Sequence, residues 1–435
     1  MSANHASGTL VQALPLRRDV VVIGGGIVGL ASAYELARRG VSVLLIEQDR
    51  VGSKQSGRNL GFVRQQGRAL PELPIMMEAN RRWRSLSGEL GKDVEWVMGG
   101  NLRLTNDPGL AASYESWVKV AASLGLDSRV VSDQEIASIL GARRDKWLLG
   151  IFTASDGHAD PQATCAAYES AARSHGVEIV EGARVVAMSS AGGHVTGVVT
   201  PMGEVTAGAV VLAAGAGSAK LVAQLGPRLP QRLVRQSVIL TSPVERVTDA
   251  AAWTGELFVR QDLRGSLRLA SATRNEIVLE PGAVRDAPRY LSSYLANRSQ
   301  LKLRLDGASL ARALARALHG AGGDEYAPRA VASDVARCLA AAHRIYPQLG
   351  ELTLLRAWAG EIDATPDALG VIDAPPSHPG LVIATAMSGH GFGTSPAVGS
   401  IVASLVEGRE PGFDLKAFRL DRFSDGSHLE PAHLL

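Results

Sequence analysis

The stretch that decides the fold is "DVVVIGGGIVGLASAYELARRGVSVLLIEQ", Asp19 to Gln48. It opens on a β-branched apolar run that ends in three glycines, the composition of a strand buried on both faces of a parallel sheet. From Ile27 the apolar residues recur at helical spacing until Gly40, a residue suited to a helix C-cap. "VSVLLIE" is then a second buried strand. A strand, a helix and a strand in that order predict a parallel pair joined by a right-handed crossover.

The glycines at the first junction, Gly24-Gly25-Gly26-Ile27-Val28-Gly29, spell G-x-G-x-x-G. Gly24 allows the tight turn, Gly26 lets backbone approach a pyrophosphate, and Gly29 lets helix and strand pack closely. The helix that starts at Ile27 and Val28 points free N–H groups and the positive end of its dipole at the phosphates. Glu47 ends the second strand, where its carboxylate can accept both hydroxyls of a ribose, with Gln48 beside it. These features together predict a dinucleotide site. Glu47 disfavours NADP by repelling a 2′-phosphate, but it does not separate NAD from FAD.

Composition narrows the rest. The chain has 435 residues, a formal charge of +2 and 46% hydrophobic residues, which fits a globular protein and argues against general nucleic-acid binding. Cys165 and Cys338 are the only cysteines, too few for a disulfide framework or a four-cysteine cluster, so both are expected to be reduced and structural. Arg17-Arg18 ahead of an apolar run resembles a signal segment, but Asp19, the glycines and the lack of a small-residue cleavage site before Glu35 favour a buried strand and helix. The expectation is a cytoplasmic protein without a membrane span or a metal site.

Further along, "PIMMEANRRWRSLSGELG" and "AASYESWVKVAASLG" read as helices, and "VEWVMGGNLRLT" alternates like a half-solvated hairpin. A helix from Pro161 leads into "VEIVEGARVVAMSSAGGHVTGVVTPMGEVTAGAVVLAAG", a strand, a small meander and another buried strand. The span 231–290 alternates in the antiparallel manner. Residues 291–348 are rich in Ala, Leu and Arg and read as helical, with a glycine break at 319–323. "GLVIATAMSGHGFGTSPAVGSIVASLVEG" restores strand, glycine loop and helix. The predicted fold class is therefore α/β, a Rossmann-like dinucleotide domain of glutathione-reductase-like βαβ type interleaved with a mixed, largely antiparallel-sheet substrate domain. The first takes residues 16–80, 150–225 and 355–410; the second takes 81–149 and 226–354. Residues 1–15 and 411–435 read as tails.

Five segments carry a resemblance: "SGRNLGFVRQQGR" (56–68), "DGHADPQATCAA" (156–167), "AGAVVLAAGAGS" (207–218), "RAWAGEIDATPDALGVID" (356–373) and "MSGHGFGTSPAVGS" (387–400). In this order they resemble the D-amino-acid oxidase/sarcosine oxidase superfamily of FAD-dependent oxidoreductases over residues 18–408. Within it, the first of them and "GGNLRLTND" look most like the β subunits of opine (octopine and nopaline) oxidases, with D-hydroxyproline dehydrogenase and hydrogen cyanide synthase β subunits close behind.

That resemblance implies non-covalent FAD, since no cysteine falls in 356–373. It places the adenosine at Glu47, adenine against the backbone of Val186, and the phosphates at Gly24–Gly29 and at Ala214, Gly215 and Gly217. Ser56, Gly57, Arg58 and Asn59 would lie along the cofactor, with Arg58 serving its anion. The ring would reach Gly389 to Thr394, where N–H groups of Gly391, Phe392 and Gly393 face the edge that gains charge on reduction.

Arg64 falls near the arginine that holds the substrate carboxylate in sarcosine oxidases, and a guanidinium grips a carboxylate in a two-point fork. Arg68 reads more simply as a solvated loop residue. His390 would sit beside the flavin, positioning more than acting as a base. Arg268 takes the place of a lysine that promotes reaction with oxygen in sarcosine oxidases. Gly393 likewise replaces a carboxylate-binding lysine, and Glu361-Ile362-Asp363 stands where glycine oxidases have an arginine. A second carboxylate could use Arg235, Arg260 or Arg268. His158, Asp156 and Asp160 fit turn and N-cap chemistry better than a metal set. Trp358 and Tyr346 read as core.

The implied reaction is oxidation of the C–N bond of a secondary amine bearing a carboxylate, an imino acid, opine or N-alkyl amino acid. The chain would be one subunit of a dehydrogenase complex, passing electrons to a partner chain and contacting it through 291–348. A self-sufficient oxidase producing peroxide and a non-catalytic flavin-holding subunit are the alternatives.

Overall fold

Burial and pairing carry out the reading of the opening stretch. In a computed structural model, which describes residues 14–142, 147–273, 275–278, 283–298, 301–304 and 329–429, the strand Arg17–Ile23 is buried from Val20 onward. It pairs in parallel with Val43–Ile46 on one side and Gly203–Leu212 on the other. The sheet runs Val371–Asp373, Leu381–Thr385, Gly203–Leu212, Arg17–Ile23, Val43–Ile46, Glu178–Val180, with the hairpin Ala187–Ala191/His194–Thr200 branching from Gly203–Leu212. Three chain segments far apart in sequence thus build one sheet.

Two helices cover one face of it. Ile27–Arg38 and Gly391–Val406 cross closely because Gly399 lets them: a Cβ there would lie 2.7 Å from the Ala31 backbone. Both helices begin at the same edge of the sheet as the strand ends, which brings two positive dipole ends together.

The second sheet has ten strands and is mixed. Arg232–Pro243 is its spine, antiparallel to Leu354–Ala364 along nearly its whole length and to Ser266–Ser271. Ala251–Trp253 and Asn101–Thr105 form a parallel pair, and Leu149–Thr153 followed by the edge strand Ser128–Val131 completes that end. Two segments assigned from the sequence to the first domain, 150–153 and 355–364, therefore pair in the second sheet. Their partners are distant apolar strands, which local pattern does not reveal. The two-stranded ribbon Phe62–Val63/Gly157–His158 lies outside both sheets.

The helical reading of 291–348 holds for Ala283–Asn297 and Ala332–Ile345, with the strand Leu301–Arg304 between; the glycine break at 319–323 lies outside the described residues. Cys338, Ala341, Ala342 and Ile345 of the second helix are buried against the ten-stranded sheet, so that face is core. Among the described residues no helix is long and apolar enough to cross a membrane.

Residues 416–423, expected within a tail, are docked. Phe418, Leu420 and Phe423 are buried, and the Leu420 N–H bonds Asp373 Oδ2 at 2.8 Å. Arg422 forks onto Asp367, Nε to Oδ2 at 2.8 Å and Nη2 to Oδ1 at 3.1 Å, and reaches the Leu369 carbonyl at 2.9 Å. Removing one partner of such a pair strands a buried charge. Arg422→Met is expected to cost about 3–5 kcal/mol in urea unfolding, and a loss below about 1 kcal/mol would show that the latch carries no load.

Candidate active site

The glycine turn is built as its spacing requires. Gly24 has φ of 107° and lies against the Ala213–Ala214 backbone, while a Cβ at Gly29 would overlap the Gly24 carbonyl. No bulkier residue fits either position. The first helical bond runs from Leu30 N–H to Gly26 C=O, so the amides before it have no helical acceptor. One of them, Ile27 N–H, donates to Ser56 Oγ at 2.8 Å, which brings the loop 53–59 to the helix N-terminus.

Glu47 lies beside this turn, accepting Gly25 N–H at 2.6 Å and Asp49 N–H at 2.8 Å. Burial pushes its carboxyl up, against the pull of those two donors. Gln48 beside it is exposed. Ser53 Oγ is buried without a hydrogen-bond partner, and Gln55 Oε1 stands at the α-position of Gly215. Unpaired donors at a helix N-terminus fit an anion such as a pyrophosphate. Gly215–Gly217 forms a 3-10 turn directly after the strand that packs on Gly24, with Ala214 leading into it. Asp363 is hydrogen-bonded by Gln231 at 3.1 Å and by Gln55, and burial raises it to about 7. A carboxyl that has lost part of its charge near neutral pH repels a phosphate there less than an ordinary aspartate would.

The opposite wall is the loop 386–390. Ala386, Ser388 and Gly389 all have positive φ, at 52°, 50° and 84°. Such backbone persists only when its surroundings hold it; here Ser388 N–H donates to Asp363 C=O and Ser388 Oγ contacts Thr365 Oγ1. The loop delivers the chain to the helix Gly391–Val406, whose first bond is Thr394 N–H to His390 C=O. The amides of Gly391, Phe392 and Gly393 precede that bond and form a donor cluster at the helix N-terminus.

Not every residue proposed from the sequence is disposed toward this region. Arg58 turns back, Nε donating to Ser53 C=O at 2.8 Å, and its own carbonyl accepts Trp358 Nε1 at 2.9 Å. Asn59 closes its loop through Ser56 C=O and Gly61 N–H, and Gly57 is buried against Gly52. Val186 N–H bonds Val199 C=O and its carbonyl accepts Gln224 Nε2, so the backbone offered to adenine is already engaged within the protein. Arg268 donates to Asp160 Oδ2 at 3.0 Å and Asn59 C=O at 3.1 Å. Its cross-strand neighbour Arg260 bonds Leu60 C=O and His158 Nδ1. Arg235 lies 3.9 Å from Glu276. Asp160 also caps the helix Pro161–Ser174 and shares Arg260 with His158, and Asp156 binds the Gln65 and Gln66 amides, so the three have protein partners. Tyr346 is fully buried core, as read; Trp358 is half-buried.

Arg64 sits in a cationic neighbourhood that the sequence did not announce. Its Nη1 donates to Gln66 C=O at 2.8 Å; burial first, then Arg68 and Arg103, push its guanidinium well below the usual range, with Asp156 and Glu72 opposing. Arg68 is buried, not solvated, with Nε on Arg64 C=O and Nη1 3.7 Å from Glu72 Oε2. Arg103 stacks on Trp253, 4.1 Å from the ring centroid, and touches the α-position of Gly67 that Arg64 Nη1 also approaches. Glu72 in turn holds His390 Nδ1 at 2.9–3.0 Å. The i, i+4 spacing of Arg68 and Glu72 and an arginine inside the apolar strand "NLRLT" were the available signals for these residues.

The cysteines are both buried. Among the described residues no three His, Cys, Asp or Glu side chains gather as metal ligands would.

Known proteins agree with this architecture. The model of the FAD dependent oxidoreductase (DAO) family matches residues 19–405. The chain belongs to that family, and FAD is the cofactor its turn, carboxylate and paired helix N-termini fit. It is 26% identical over 420 residues to N-methyl-L-tryptophan oxidase of Citrobacter koseri, covering 94% of this chain and 100% of the relative. It is 25% identical over 406 residues to dimethylglycine dehydrogenase of Rattus norvegicus, but spans 44% of that longer protein and 92% of its own length. The solved structure of L-amino acid deaminase from Proteus myxofaciens superposes with a TM-score of 0.87 at 24% identity, over 95% of each chain, which shows a shared fold.

Glu47→Ala is expected to weaken FAD retention without unfolding the chain. Full occupancy after dialysis, read from absorbance, would contradict the ribose role.

Proposed function

We propose that this chain oxidises the C–N bond of an amino acid bearing a secondary or N-alkylated amine. The observation that carries the reading is the gathering of a partly buried Arg64 with the buried Arg68 and Arg103, next to the loop that begins the helix at Gly391. Guanidinium groups are not deprotonated in proteins. Burying several in one place is costly unless anions reach them, and the acids that act most on Arg64 are Asp156 and Glu72. Asp156 is itself raised to about 6 by burial. A substrate carboxylate supplies the missing charge, and Arg64 is its anchor.

FAD, when bound, supplies a two-electron acceptor for hydride. The chain's own part is to hold the substrate by its carboxylate, aim the carbon next to nitrogen at that acceptor and exclude water. Loss of hydride leaves an iminium, which water converts to an amine and a carbonyl compound. The relatives act on related molecules, as their names state: N-methyl-L-tryptophan, and dimethylglycine.

The finer reading is an opine-type substrate with two carboxylates. Arg103 supports it by position, since its guanidinium and that of Arg64 both approach the α-position of Gly67; Arg260 and Arg268 lie against Asp160. The same ion pair argues that Arg268 is a strut between the two domains. We further read the chain as the flavin subunit of a heteromeric, cytoplasmic dehydrogenase; the absence of a lysine from 387–400 and 266–271 supports electron transfer to a partner over direct use of oxygen.

Arg64→Ala removes a desolvated charge partner worth about 2–4 kcal/mol. Substrate affinity should fall about 30- to 1000-fold, with FAD content unchanged. An unaltered KM would refute the carboxylate assignment.

A further inference from the structure

Two buried side-chain atoms flank Glu72 and have no hydrogen-bond partner: Arg68 Nη1, a donor, and His390 Nε2. Both residues are more than nine-tenths buried, at 5% and 8% exposure. A bare polar atom in such a place costs about 1–3 kcal/mol, and native structures rarely keep one without a ligand to meet it. The chemistry of the second atom follows from Glu72. Burial favours the protonated acid, but His390, Arg68 and Arg64 outweigh it and hold Glu72 at about 2, so it is ionised at neutral pH. An ionised carboxylate only accepts, so the imidazole Nδ1 that contacts it carries a hydrogen. Burial, then Arg68, lowers His390 to about 4, so the ring is neutral and Nε2 bears a lone pair.

We propose that Glu72 and His390 form a carboxylate–imidazole dyad that presents Nε2 to the substrate's amine as proton acceptor, while Arg68, which lies against the same carboxylate, meets the substrate's carboxylate. The pocket then takes an α-amino acid as its zwitterion. This rests on the amine-oxidising reading above and adds the step that reading requires. An ammonium nitrogen has no lone pair with which to stabilise the cation left by hydride loss. The N–H bond breaks first, its proton passes to Nε2 and its electron pair stays on nitrogen. The C–H electron pair then leaves with hydrogen as hydride, and the C=N bond forms.

Binding and base strength are coupled. The charged groups acting on the imidazole are Arg68, Glu72 and Arg64. The two arginines hold its proton affinity down until a carboxylate neutralises them. The substrate therefore strengthens its own base by binding. His390 touches the substrate and is the catalytic residue; Glu72 acts through it and is a positioning residue.

The test uses FAD-loaded protein with 15N-labelled histidine, His390 being assigned from His390→Asn. At neutral pH the free protein should show the tautomer protonated at Nδ1. Saturation with benzoate, a carboxylate with no amine to oxidise, should raise the His390 pKa by about one unit or more, a tenfold gain in proton affinity. An Nε2-protonated ring, or a titration that benzoate leaves unmoved, overturns the proposal, and neither readout needs turnover. In anaerobic flavin reduction by N-methyl-L-alanine, His390→Asn should slow the limiting rate about 100-fold or more, and Glu72→Gln about tenfold with the acidic limb of the pH profile displaced. Rates equal to the parent chain with an unchanged profile overturn the dyad while leaving amine oxidation standing. Wild-type flavin that the amine never reduces, alongside the expected benzoate shift, refutes the amine reading instead.

Discussion

The structure depends on positive charge held out of water at one place. Two helix N-termini, at Ile27 and Gly391, begin at the same edge of the parallel sheet, and three arginines, Arg68 and Arg103 buried and Arg64 partly so, stand beside the second of them. Each half of that arrangement costs free energy in an empty protein and is repaid by an anion. On the proposed reading, the cofactor's pyrophosphate meets the first half and a substrate carboxylate the second. The strained loop 386–389 joins them, since it fixes both the donor cluster at Gly391–Gly393 and the imidazole of His390.

The two sheets divide the labour. The parallel sheet fixes the turn, Glu47 and the two helices through strands whose C-terminal ends are buried. The mixed sheet supplies Arg103 from an interior strand and, through Trp358 and Arg268, grips the loop 56–60 that lies between the domains. The pair Arg260/Arg268 with Asp160 is best understood as part of that grip. Both arginines are bound to main-chain carbonyls of residues 59–60, so the cofactor loop is fixed from the substrate side. Geometry at the flavin therefore depends on the packing of both domains.

Much of this was legible in the sequence because it depends on local rules. The βαβ opening, the three functional glycines and Glu47 follow from turn sterics and strand burial, and the N-cap role of Asp160 follows from "DGHADP". Arg64 and His390 were named from resemblance, and they do converge, through Arg68 and Glu72. What stayed hidden depends on pairing across long distances. Leu354–Ala364 joins Arg232–Pro243, and its own pattern does not say so. Arg68 looked solvated because nothing local shows that Glu72 and His390 close over it. Arg103 was passed over as one charge in an alternating hairpin, whereas its strand is buried on both faces. Arg268 was nominated by position along the chain, and only the fold reveals that Asp160 already holds it.

The account stands on the substrate's negative charge being bound among these arginines. The most direct measurement is an anaerobic absorbance titration of the FAD-loaded chain near about 450 nm, comparing an N-(1-carboxyethyl) amino acid with its dimethyl ester. The account predicts stoichiometric bleaching by the dicarboxylate at concentrations where the ester, which keeps the amine but lacks both charges, leaves the spectrum unchanged. Equal bleaching by the two, or by neither, would contradict it.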